Sequence, residues 1–302
     1  MMRLLTVLFL LLCISASSQV IHCTVTDSAG QPLIYATVIF KTQRTVLYTN
    51  DEGKFSFSKD SVPAGDSISI GYVGFKIYTA SVKNIPDNFI ITMQPSGKEL
   101  QPVIVSNCKK FKNTTVNREG RITTFTGPGP EMRMIIISHF TNSDNIHGYV
   151  KSISIYAGAF NENIKAPVRL HWYKWNSALQ QPGEEITDRN LIIYPYHRGW
   201  NDFDLPENLF YYSRDGIVLG LEFIYPVDFV HEYKGLTSTQ EKINWLQDMQ
   251  HRWSLGMKTV TESGSNSFYI INNEKMVPYK QAGEGRYLQP AIRFNVLVCK
   301  RS

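Results

Sequence analysis

Several chemistries are missing from this sequence. None of its seven histidines is followed by a glutamate three places on. His231 and Glu232 are adjacent, the wrong spacing, and "HEYKG" lacks the second histidine of the H-E-x-x-H zinc motif. G-x-S-x-G is absent, which removes the nucleophile elbow, and no glycine-rich phosphate loop is present. With no C-x-x-C pair among the four cysteines, a zinc knuckle or a dithiol redox site has no ligands. No catalytic residue, cofactor or metal is therefore expected. The net charge is +5, but the 31 Lys and Arg form no dense run, so no nucleic-acid partner is expected. Beyond the first residues no apolar run is long enough for a membrane helix.

The one long apolar run opens the chain. "MMRLLTVLFLLLCISASSQ" has one Arg, an apolar core from Leu4 to Ile14 and then small residues. This is the pattern of a secretory signal peptide, with Ala16 and Ser18 at the small sites and cleavage expected after Ser18. Leu12 before Cys13 and His22 before Cys23 do not suit a lipid-modified cysteine. The mature protein is expected in the periplasm, at the cell surface or secreted. Its three cysteines, Cys23, Cys108 and Cys299, are an odd set. They fit either three buried thiols or one bridge plus a free thiol in an oxidising compartment.

From Val20 to about Met93 short runs alternate apolar and polar residues between turns: "VIHCTVTD", "LIYATVIF", "RTVLYT", "KFSFS", "DSISIGYVGF", "KIYTASV" and "NFIITMQ". Six or seven strands at such spacing, with no helical period, predict a β-sandwich. In "TNDEGKFSFS" the acidic pair Asp51–Glu52 is weighed as a cation site and as a hairpin tip. The hairpin is preferred: Asn50 and Asp51 suit a turn, Gly53 suits a positive φ, and the other oxygen ligands of a calcium loop are missing. "VTDSAGQPLIYATVIF", "TNDEGKFSFS", "ISIGYVGF" and "ITMQPSGKELQPVIVS" together resemble the carboxypeptidase-regulatory-like domain. That resemblance implies a transthyretin- or Ig-like sandwich at residues 19–97, of a kind common in exported proteins of Bacteroidetes-type bacteria. "GYVGF" and "ELQPVIVS" also resemble segments preceding the barrel of outer-membrane nutrient receptors, but the roughly 190 residues that follow are too few for some 22 strands. Without the zinc motif, the domain's name brings no peptidase activity.

Residues 98–120 are expected to be a linker, with a polar, basic stretch from about Ser106 to Arg121. Residues 121–302 again alternate, in "MRMIIISHF", "YVKSISIYAGAF", "APVRLHWYKW", "NLIIYPY", "NDFDLP", "GIVLGLEFIYP", "SFYIIN" and "PAIRFNVLV". They predict a second, jelly-roll-like sandwich, so the fold class is all-β with two sandwiches. In "VRLHWYKW", Val168, Leu170 and Trp172 share one face and Arg169, His171, Tyr173 and Trp175 the other. One helix is expected near 239–253. Ser238 and Glu241 have capping-box spacing, and Ile243, Leu246, Met249 and Trp253 form its apolar stripe.

"YPYHRGWNDFD" concentrates ring and polar side chains. As a sugar-binding patch, Trp200 or Tyr196 would stack on a sugar while Asp202 or Arg198 bonds its hydroxyls, with Tyr194, His197 and Trp175 alongside. As plain structure, Trp200, Phe203 and Leu205 anchor a strand and His197–Gly199 is its turn. For a glycosidase the acids Glu184, Glu185, Asp202, Asp204 and Glu222 are candidates only by elimination, since the carboxylate pair is set by the fold. The expected function is a non-catalytic, exported binding, adhesion or assembly module for a glycan or envelope-protein partner. The alternative is an extracellular glycan- or peptide-processing hydrolase. The oligomeric state is not encoded in any pattern seen.

Overall fold

The computed structural model describes residues 19–43, 45–63, 65–97, 110–118, 120–127, 133–159, 167–187, 189–207, 209–225, 235–252, 254–260, 267–271, 276–278 and 287–299. The expected signal peptide, Cys108 and Trp253 lie outside these. Among the described residues the chain is all-β with one α-helix, as the alternating runs require.

In the first sandwich β1 (Val20–Thr26) buries Ile21, Cys23 and Val25, and β4 (Lys54–Ser58) buries Phe55 and Phe57. These strands and β7 (Phe89–Thr92) form one sheet in the order β4-β1-β7, with β7 parallel to β1. The facing sheet runs β3 (Val46–Tyr48), β2 (Thr37–Phe40), β5 (Ser67–Gly71), β6 (Tyr78–Ser81). Phe40 meets Phe57 edge-on across the interior, with ring centroids 5.1 Å apart. Burial pushes the Cys23 thiol, free and inside this core, up to about 12, with the Asp87 carboxylate adding to it.

The turn at Asn50–Gly53 forms, but it is not a hairpin tip. β3 pairs with β2 in one sheet and β4 with β1 in the other, so the turn carries the chain between sheets. Asn50 Oδ1 accepts from the amides of Glu52 (3.0 Å) and Lys54 (2.8 Å), and Gly53 has a φ of 72°. Turn chemistry bends the chain, while the choice of partner strand is a long-range matter.

The second sandwich has a seven-stranded sheet in the order β13 (Gln181–Glu185), β12 (Val168–Asn176), β17 (Ile217–Phe223), β10 (Met134–Phe140), β19 (Ser267–Ile271), β20 (Val277–Pro278); β14 (Leu191–Ile193) also pairs with β12. The facing eight-stranded sheet is built on the long β11 (Gly148–Ala159). It pairs with β15 (Gly199–Asp204), β16 (Tyr211–Tyr212), β18 (Ser254–Val260) and β22 (Ile292–Cys299). β8 (Phe111–Val116) adds to β22, and β9 (Ile122–Thr126) and β21 (Tyr287–Pro290) add to β18. Leu170, Trp172, Leu219 and Leu221 face Ile153, Ile155, Phe294 and Val296 between the sheets. Trp172 stacks on Phe210 at 3.6 Å, a contact worth about 0.5–1.5 kcal/mol beyond its buried area.

Residues 98–120 are thus not all linker: Phe111–Val116 is a strand of the second sandwich. "FKNTTV" escaped notice because it is polar and buries only Val116 fully, as suits a sheet edge. Cys299 is disulfide-bonded, which excludes three free thiols. α1 (Thr239–Arg252) carries the expected capping box: Glu241 N donates to Ser238 Oγ (3.1 Å) and Ser238 N to Glu241 Oε2 (2.9 Å). It lies against β11 and β18. Its packed residue is Trp245, while Ile243, expected on the apolar stripe, is 41% exposed. The side chains of Leu246 and Met249 lie outside the described residues.

Candidate functional site

The structure divides the expected sugar patch among three places. Tyr194 and Tyr196 are exposed, and the Tyr194 hydroxyl lies 3.5 Å from that of Tyr35 in the first sandwich. His197 and Arg198 form the exposed turn entering β15, where Gly199 has a φ of 109°. Sequence reasoning passed over the residue that shapes this turn. Asn201 is fully buried; its Oδ1 accepts from the amides of Tyr196 (2.8 Å) and His197 (3.1 Å), and its Nδ2 donates to the carbonyls of His197 (2.8 Å) and Gly199 (2.9 Å).

Trp200 and Asp202 point away from the core, on the outer face of the eight-stranded sheet. Alternation puts Phe203 and Leu205 on the inner face instead, so the strand-anchor reading holds for those two and not for Trp200. Trp200 meets Tyr156 of β11 edge-on at 5.4 Å, and the guanidinium carbon of Arg293 sits 3.7 Å above its ring centroid. Ser154 donates to the Asp202 carboxylate. Trp175 is not part of this face. It lies on β12 of the other sheet, stacked on His139 at 3.9 Å and packed with Phe268.

The outer face of the seven-stranded sheet holds what the sequence concealed. Glu222 on β17 has no exposed surface, although strand acids are usually solvated. Its Oε1 accepts from Arg133 Nε (2.6 Å) and the Tyr48 hydroxyl (3.2 Å), its Oε2 from Arg169 (2.8 Å) and His171 Nε2 (2.9 Å). The other ring nitrogen of His171 bonds Glu185 at 2.7 Å. Arg169 also donates to Asn190 (2.7 Å), to the Thr37 hydroxyl (3.2 Å) and to the Tyr35 carbonyl. Asn190 reaches the Ile34 carbonyl and the Tyr72 hydroxyl. Tyr48, Thr37, Tyr35, Ile34 and Tyr72 belong to the first sandwich, so the cluster joins the two. Ile39, Val46 and Tyr48 pack with Ile224 beside it.

Burial acts to raise the Glu222 pKa, but Arg133, Arg169 and His171 outweigh it and hold the carboxyl well below the usual range. For His171, burial acts to lower the pKa, and the Glu185 and Glu222 carboxylates reverse that and raise it. An ionised carboxylate only accepts, so an imidazole between two of them donates from both nitrogens and is charged.

A pH dependence follows. The His171 contribution to stability is fully present below its unfolded pKa of about 6.5 and is lost as pH rises through the higher folded value. The Glu222 contribution is present above about 4.3 and is lost as pH falls through its depressed folded value. Stability should therefore decline above neutrality, and His171→Gln should flatten that decline. Urea titrations of both proteins between about pH 5 and 9 check this; parallel curves would remove His171 from the account.

Among the described residues no group of three or more His, Cys, Asp or Glu could hold a metal ion. No helix there is long and apolar enough to cross a membrane. No curated protein matches the chain. Residues 21–105 match the family model of the CarboxypepD_reg-like domain, which identifies the first sandwich as a carboxypeptidase-regulatory-like domain and ends before β8.

Proposed function

We propose that this is an exported, non-catalytic protein of the cell envelope that binds a glycan or protein partner through the outer face of its eight-stranded sheet. The observation that carries this reading is the contrast between its two sheet faces. On one, the only buried acid among the described strands of the second sandwich, Glu222, has both oxygens occupied by four donors and no access to solvent. A carboxylate so engaged has no lone pair left for a substrate proton or an attacking water. On the other, Trp200, Tyr156 and Arg293, half-buried, and Asp202, exposed, share one face of three adjacent strands. Export is supported by the signal-like start and by the disulfide at Cys299, since such bonds persist in oxidising compartments.

Glycan-array binding of the mature chain, compared with Trp200→Ala, tests the proposal. The substitution removes the ring on which Arg293 lies, and binding is expected to weaken about tenfold, or about 1.4 kcal/mol. Equal binding by both proteins would take the Trp200 face out of contention.

A further inference from the structure

The outer face of the eight-stranded sheet has an ordered pattern. Arg293 on β22 pairs with Ser154 on β11, which pairs with Asp202 on β15. Beside that row, Asn295, Ser152 and Asp204 align in the same way, and on its other side Tyr156 aligns with Trp200. With strands about 4.8 Å apart, each row spans about 10 Å. The hydroxyl and amide groups are already oriented: Thr115 donates to Asn295 Oδ1 at 2.7 Å, and Asn295 Nδ2 donates to Ser152 at 2.8 Å. Next to Tyr156 lies Phe125 of β9, 47% exposed, with its ring centroid 6.4 Å away.

Arg293 is the unbalanced member of this array. Its guanidinium carbon lies 3.7 Å over the Trp200 ring centroid. Among the described residues it has no carboxylate partner, and its Nε, which is buried, has no hydrogen-bond partner. A planar guanidinium offers paired donors that fit a carboxylate in two parallel hydrogen bonds. Asp202, exposed in the same row, is an acceptor suited to hydroxyl donors. One ligand needs both: a sugar carrying a carboxylate as well as hydroxyls. The chain's net charge of +5 favours the approach of an acidic polymer. A peptide that adds a strand would pair along the β15 edge through its backbone, whereas this row presents side chains across the face of three strands.

We propose that the ligand is a uronate-containing glycan lying across β22, β11 and β15. Arg293 takes the sugar carboxylate, Asp202 accepts from neighbouring hydroxyls, and Tyr156 and Phe125 supply ring surface for the apolar side of the sugar. This rests on the binding role proposed above for the same face.

The test is calorimetric titration of the mature chain with hexamers of galacturonate, glucuronate, mannuronate and guluronate, and with neutral hexamers of galactose, glucose and mannose. At least one uronate hexamer is expected to bind ten or more times more tightly than its neutral counterpart, and to weaken as salt is raised. Arg293→Gln should erase that preference and Arg293→Lys should keep part of it, with both variants melting as the parent does. Neutral hexamers binding as tightly as uronates, or a preference that survives Arg293→Gln, would overturn the uronate assignment and leave glycan binding standing. Binding to no hexamer and no array glycan would overturn both.

Discussion

Glu222→Ala is expected to destabilise the protein by about 3–5 kcal/mol, the range for removing one partner of a buried ion pair. The large effect comes from what stays behind. Arg169 would remain buried and Arg133 largely so, with no anion between them, and the Tyr48 hydroxyl would lose an acceptor. Two neighbouring cations at this junction repel each other, and Arg169 lacks the hydration that an exposed position gives. The junction should suffer most, because Arg169, Thr37, Tyr35 and Tyr48 hold the two sandwiches through this carboxylate. Urea denaturation followed separately by tryptophan fluorescence and by far-ultraviolet dichroism measures the loss and shows whether the sandwiches still unfold together. Tryptophan reports on the second sandwich, since all five Trp residues lie beyond residue 171. The companion variant Glu222→Met/Arg169→Met/Arg133→Leu removes the carboxylate and both guanidinium charges together, leaves His171 on Glu185, and should recover part of the stability. A loss below about 1 kcal/mol in Glu222→Ala would mean that water reaches the cluster and screens it.

The same carboxylate shows where sequence reasoning runs out. The strands of the first sandwich were legible because β1, β4 and β5 bury alternate residues, as Ile21, Cys23 and Val25 do, and β2 and β3 are short apolar runs between turns. The capping box of α1 was legible because Ser238 and Glu241 bond each other within one turn. The two faces of β12 were legible for the same local reason. What β12 meets was not: periodicity puts Trp175 on one face with Arg169, His171 and Tyr173, but does not tell that Trp200 stands on a different sheet. A signal for Glu222 did exist. "GIVLGLEFIYP" is apolar on both faces, the pattern of a strand covered on both sides. An acid inside such a run has to be paired, and the outward face of "VRLHWYKW" offered Arg169 and His171 as partners. Arg293 and Tyr156 gave no such signal, because their contact with Trp200 depends on a three-strand register that no local pattern encodes.

At the turn between the sheets of the first sandwich, Gly53→Ala is expected to cost roughly 3 kcal/mol. About 1–2 kcal/mol is the left-handed backbone, which disfavours any side chain. The rest comes from contact. A Cβ at Gly53 would lie 2.6 Å from the Val25 carbonyl oxygen and 3.2 Å from the Leu33 amide nitrogen. That carbonyl accepts from Leu33 N at 2.9 Å, and the Gly53 carbonyl accepts from Val25 N at 2.8 Å. Relieving the overlap opens one of these bonds, and a buried backbone group left unpaired costs about 1–3 kcal/mol. The acidic residues of the same turn should behave differently. Asp51 and Glu52 are exposed, and the Glu52–Lys54 ion pair lies at the surface. The turn is held instead by Asn50 and Gly53. Asp51→Asn/Glu52→Gln should therefore melt at the parent's temperature, with or without calcium, while Gly53→Ala melts well below it. If calcium raised the parent's melting temperature and the double variant lost that increment, the acidic pair would be a cation site and the turn more than a change of sheet.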